Sequence, residues 1–120
     1  MFDPVEFFHI ARKLYNESEK LDSGMARTCI NRAYYAAHLV VREKYKIKDT
    51  GKSAHTTVID CFKKKSPVHG NQLSALFFKR KEADYELDDS LDNPITKRDA
   101  GSAIKKATEI LESLGKKIDD

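Results

Sequence analysis

"INRAYYAAHLV", Ile30 to Val40, decides the fold class. Ile30, Ala33, Tyr34, Ala37 and Val41 recur at steps of three and four, and Tyr45 continues the series. That is helical spacing, because about 3.6 residues complete a turn and residues three or four apart share a face. The same stretch carries an Arg, two adjacent Tyr and a His among Ala, Val and Ile. Close helix packing would explain these polar groups, and so would a site built on the helix.

Outward from this stretch, the periodicity predicts a long helix from about Met25 to Ile47. "DSG" (Asp22 to Gly24) separates it from an earlier helix. That helix starts at "DPVE", with Asp3 as N-cap, Pro4 at the first helical position and Glu6 at the third. It runs to about Leu21, with Phe7, Ala11, Leu14, Ser18 and Leu21 along one face. Beyond Ile47, "KDTGKS" reads as a turn and Ser53 as the cap of a third helix. Val58, Ile59 and Phe62 lie on that helix, which ends near Lys65. "SPVHGN" reads as a loop, and Asn71 as the cap of a fourth helix through Leu73, Leu76, Phe77, Arg80 and Asp84. The acidic run up to Pro94 has no helical period and reads as a connection. Thr96 caps a last helix, with Asp99 completing a variant of the capping box. Ala100, Ala103, Ile104, Ala107, Ile110, Leu111 and Leu114 form its apolar stripe. No period-two strand stands out. The fold class is all-α: an up-and-down bundle of four to five helices, with residues 1–120 as one domain.

Composition fits that picture. The 120 residues are 40% apolar and 34% charged, enough for one core under a charged surface. No run approaches the roughly 18 apolar residues of a membrane span. "MFDPVEFFHIARK" carries Asp3 and Glu6 and no small-residue cleavage site, unlike a secretory signal. Cys29 and Cys61 are isolated and read as reduced thiols. The expectation is a cytoplasmic protein. The net charge of +3 does not by itself mark a nucleic-acid binder. Lys63, Lys64 and Lys65 form one local basic cluster and "KRK" (Lys79 to Lys81) another. Acids collect from Tyr85 to Asp92. Basic clusters attract phosphate, and solvated helix faces look the same in sequence.

Several chemistries lack a signature. His9, His38, His55 and His69 are scattered, with no HExxH and no Cys/His pair at zinc spacing, so neither a metal nor a cofactor is expected. "TGKS" ends like a phosphate loop, but Lys46 stands where the first Gly is required. No G-x-S-x-G occurs. The strongest candidate is the second helix. Asn31, Tyr34 and His38 form a polar strip, with Tyr35 beside it and Arg32 at its flank. Arg32 and His38 are six steps apart, roughly 120° around the axis, so they do not share a face. Arg80 and Asp84 are spaced for an ion pair, followed directly by Tyr85. Lys52 and His55 lie near the start of the third helix, where unpaired backbone N–H groups favour an anion.

Three segments together resemble the small stand-alone HEPN-domain proteins: "NRAYYAAH", "GKSAHTTVIDCF" and "LFFKRKEADYEL", in that order. The resemblance covers nearly the whole chain. It implies a helical bundle that forms a homodimer. It also implies a metal-independent endoribonuclease, the toxin component of a toxin–antitoxin or defence pair, with an antitoxin of nucleotidyltransferase fold as partner. The family's catalytic signature is an Arg followed at short range by a His. Arg32 and His38, with five residues between them, match it. His38 is then the general acid or base and Arg32 the phosphate ligand, the two meeting across a dimer seam. Asn31, Tyr34 and Tyr35 are supporting residues, and Arg80, Asp84 and Tyr85 are structural ones. Lys52, His55, Lys63, Lys64 and Lys65 are candidate phosphate contacts. Ala33 stands where catalytic members often carry a polar residue, and position 39 is Leu. A non-catalytic HEPN module that binds a nucleotide or a protein partner is therefore the alternative.

Overall fold

Asp22 starts the helix that organises the rest. Its carboxylate accepts the Met25 N–H at 2.8 Å, and the chain runs helical from Ser23 to Lys44. The computed structural model describes residues 2–17, 22–48, 51, 53–85 and 95–118. The helices are α1 (Val5–Asn16), α2 (Ser23–Lys44), α3 (Ala54–Lys65), α4 (Pro67–Tyr85) and α5 (Lys97–Ser113). Among the described residues there is no strand. The all-α bundle is as the periodicity predicts.

α2 is the central element and touches each of the other four helices. Its composition explains why. Ala26, Ala33, Ala36 and Ala37 are fully buried and let neighbouring backbones approach from several sides. Ile30, Tyr34 and Val41 fill the spaces between them, with Phe8 from α1, Phe62 from α3, Leu73 and Leu76 from α4, and Ile110 and Leu111 from α5. Cys29 is buried, its thiol on the Ala11 carbonyl at 3.5 Å, and Cys61 is also free.

Both α2 and α5 end in the same hydrogen-bonded turn. Lys46 N–H reaches the Glu43 carbonyl and Ile47 N–H the Arg42 carbonyl; Gly115 and Lys116 repeat the pattern on Glu112 and Leu111. The turn needs a positive φ. Gly115 adopts 79° without cost, whereas Lys46 adopts 53° as a side-chain-bearing residue. α2 therefore stops three residues before the predicted Ile47. The capping box at Thr96 and Asp99 forms as expected.

Two further sequence expectations fail. The fully buried aromatic of α1 is Phe8, while Phe7 is only partly buried. "SPVHGN" is not a loop: α4 begins at Pro67, four residues ahead of the predicted cap at Asn71. Pro suits the first helical position, where its missing N–H has no intrahelical partner to lose. The Gly that suggests a loop is inside the helix. A Cβ at Gly70 would lie 2.5 Å from Lys63 Cα, so α3 and α4 cross backbone to backbone there. The predicted end of α1 near Leu21 and the acidic run over residues 86–94 lie outside the described residues.

Candidate functional site

Where α2, α3 and α4 meet, the polar residues of "NRAYYAAH" face two segments distant in sequence. Tyr34 is fully buried, and its ring lies against those of His38, His55 and Phe77. Its hydroxyl stands 2.5 Å from Nδ1 of His55 and 3.3 Å from Nδ1 of His38. The two imidazoles are 4.6 Å apart. His38 is 3% exposed, whereas His55, in the first turn of α3, is half-buried and meets solvent.

Arg80 of α4 closes the cluster. It is 6% exposed, and its guanidinium lies 5.4 to 5.8 Å from the rings of Tyr34, Tyr35, Phe77 and Tyr85. One terminal nitrogen donates to Asp84 at 3.3 Å, and Asn31 donates to the same carboxylate at 3.1 Å. Burial works against the Arg80 charge, but Tyr35, Asp84 and Tyr85 outweigh it and raise its pKa. Its Nε is buried without a hydrogen-bond partner. A buried charged donor left unmatched costs free energy, and such a group is an unfilled bond.

Both histidines are held neutral. Burial, then the nearby His55, Arg42 and Arg80, push His38 down to about 4. Burial and Arg80 lower His55 in the same way. The positive end of the α3 dipole acts on it in the same direction. The linkage has a definite sign. The unfolded chain takes up a proton at His38 near pH 6.5, and the folded chain resists until about 4. The stabilisation is therefore complete above pH 6.5 and lost as pH falls toward 4, on the order of 3 kcal/mol from His38. His55 adds to the loss. Urea unfolding followed from pH 7 to 4.5 should show this decline. His38→Phe, which keeps a ring but cannot titrate, should flatten it; an equally steep decline in the variant would rule out His38 as its source.

The candidate residues from sequence are thus divided. Asn31, Tyr34, Tyr35, His38, His55, Arg80, Asp84 and Tyr85 converge on one cluster. Arg32 does not join them. Its guanidinium lies 4.9 Å over the Phe7 ring, on the α1 side of α2, as six helical steps from His38 require. Lys63, Lys64 and Lys65 occupy the last turn of α3, about 12 Å along the axis from His55. Lys52 lies outside the described residues. The "KRK" cluster is not one patch either. Lys79 pairs with Glu82 and Asp99, Arg80 turns inward, and Lys81 is exposed beside Phe77.

Sequence reasoning treated Arg80 as structural and His55 as a candidate phosphate contact beside Lys52. The available signal was "RKEADY", where Arg80 and Asp84 are spaced for an ion pair and Tyr85 follows directly. Among the described residues, no group of three His, Cys, Asp or Glu could hold a metal ion, and no helix is long and apolar enough to cross a membrane. A groove of about 470 Å³ lined by Phe2, Leu39, Arg42 and Ile47 shares no residue with the cluster. No family model, curated protein or solved structure matches the chain.

Proposed function

We propose that this chain is a metal-independent endoribonuclease of the HEPN type, acting as a homodimer and as the toxin component of a toxin–antitoxin or defence pair. The observation that carries the reading is Arg80: a buried cation with an unmatched Nε, set beside the solvent-reaching His55 and ringed by tyrosines. A phosphodiester is the ligand such a group fits. It is anionic, accepts from a guanidinium, and brings bases that stack on exposed aromatic faces such as Tyr85.

In this reading the RNA 2′-oxygen attacks phosphorus and the bond to the 5′-oxygen breaks. The proton shed by the 2′-hydroxyl ends on the departing 5′-oxygen. The products are a 2′,3′-cyclic phosphate and a 5′-hydroxyl. Arg80 and His55 stabilise the charge that builds on the non-bridging oxygens, in a site whose donors are already placed. His38, neutral and 3% exposed, stands behind His55 and supports it. A partner of nucleotidyltransferase fold follows from the same resemblance.

The second reading is a HEPN module that binds a nucleotide or a protein without cleaving RNA. Ala33, where catalytic members of the family often carry a polar residue, favours it. Incubating the purified protein with a mixed RNA pool in EDTA distinguishes the two. We expect cyclic-phosphate ends, lost in His55→Ala. Cleavage lost in Arg32→Ala but kept in His55→Ala would move the chemistry to a seam between two copies of α2. A folded wild type that cuts nothing would leave the binding module.

A further inference from the structure

α2 and α5 end in the same turn, yet they fill its left-handed position differently. Gly115 takes it after α5, with φ at 79°, and Lys46 takes it after α2, with φ at 53°. A side chain disfavours that conformation and glycine does not, so Lys46 sits there against local preference. Backbone strain of this kind gathers at functional positions. Lys46 lines the groove of about 470 Å³ at the C-terminal end of α2. Leu39, Arg42, Glu43 and Lys46 follow one another at steps of three and four, so one face of α2 and its closing turn form one wall. Phe2, 51% exposed and resting against the Phe7 ring at 4.9 Å, stands on the other side. Leu39 and Ile47 are only partly buried, so the groove offers water an apolar floor.

We infer that this groove docks a protein segment in which carboxylates flank large apolar side chains. The charge around it selects that chemistry. Arg42, Lys46 and Lys48 line it together with a single acid, Glu43. Among the described residues, none of the three cations is held in an ion pair. Arg42 donates its Nε to the Ile47 carbonyl at 3.4 Å, which leaves its terminal nitrogens for a carboxylate. A single-stranded nucleic acid is anionic too, but the floor favours protein. Stacked bases need aromatic platforms, whereas Leu39 and Ile47 are aliphatic and Phe2 is the single ring. Glu43 also repels a phosphate. Apolar anchors within a charged rim are how a groove takes up an amphipathic segment, the rim setting which partner is admitted. The volume is that of a ligand-sized pocket, so the contact is short and reversible. This docking surface is independent of the ribonuclease reading and shares no residue with the histidine cluster.

Panning a random peptide library on the intact chain tests the inference without presuming a partner. Enriched peptides should carry Asp or Glu beside Leu, Ile, Phe or Met and bind on the order of 10 µM. Titrating one of them should move the amide resonances of Leu39, Arg42 and Ile47, and added salt should weaken it several-fold. Lys48→Glu, a change at an exposed position, should weaken it about tenfold. Lys46→Gly should do two opposite things. It should raise the urea midpoint by relieving the turn, and weaken the peptide about threefold by removing a cation. Enrichment of basic or uncharged peptides, or of none, would overturn the proposal. So would peptide binding that Lys48→Glu and Lys46→Gly both leave unchanged. An RNA oligonucleotide that moves the same resonances at lower concentration than the peptide would assign the groove to nucleic acid instead. Self-association of the wild type that Lys48→Glu abolishes would assign it to a second copy of the chain.

Discussion

Arg80→Lys should lower RNA cleavage by on the order of a hundredfold while the chain stays folded. Lysine keeps a positive charge near Asp84, so the ion pair to that carboxylate survives in some form. It loses Nε, the donor that is buried without a partner. It also loses the planar fork that grips two phosphate oxygens at once and lies flat against aromatic rings. Removing one donor aimed at developing charge costs roughly 100- to 1,000-fold in enzymes where it has been isolated. The loss should fall on the turnover rate more than on substrate affinity, since the charge on the non-bridging oxygens grows on the way to the transition state. Arg80→Ala is the less informative change. It leaves Asp84 with Asn31 alone and opens a hole among four rings, so destabilisation of several kcal/mol would obscure the chemistry. Thermal unfolding alongside the kinetics separates the two effects. A lysine variant that cleaves as fast as wild type would mean that charge alone suffices and that Nε is not the working donor.

Gly70→Ala should destabilise the chain by about 3 kcal/mol or more, against the usual direction for a helix interior. Gly costs roughly 1 kcal/mol relative to Ala in an ordinary helix, so propensity alone favours the substitution. Here the new Cβ would sit 2.5 Å from Lys63 Cα and 2.7 Å from its backbone nitrogen. Both are main-chain atoms of α3 and cannot swing aside as a flexible side chain does. The helices must separate, which opens the packing around Phe62 and Leu73. Overpacking of this kind costs about 1 to 3 kcal/mol even where only side chains must move. Gly24→Ala is the control. Its Cβ would meet Asp22 Oδ1 at 3.5 Å, an ordinary contact, and stability should hold or rise slightly. Urea midpoints for the two variants read the contrast directly. Equal stability of Gly70→Ala and wild type would show that α3 and α4 are not in backbone contact. Because α3 carries His55 and α4 carries Arg80, the same variant should also impair the site.

The sequence by itself determined the helices, because helix formation reads locally. Steps of three and four placed α2 and α5, and the short-range cap at Thr96 and Asp99 marked the start of α5. It also singled out "NRAYYAAH" as carrying too much polar chemistry for a buried helix. It misread "SPVHGN" because Pro and Gly punctuate loops on average. Whether Gly70 ends a helix or lets another helix through depends on where Lys63 lies, and no local pattern contains that. Arg32 and His38, six helical steps apart, lie on different sides of α2 as the spacing predicts, one over Phe7 and the other beside His55. Only the tertiary structure brought His55 and Arg80, 25 positions apart, to the same tyrosine, one at its hydroxyl and the other over its ring. It alone left the Arg80 Nε buried and unmatched. Burial and the distance between charges are properties of packing, and they lower the pKa of both histidines and leave one arginine buried.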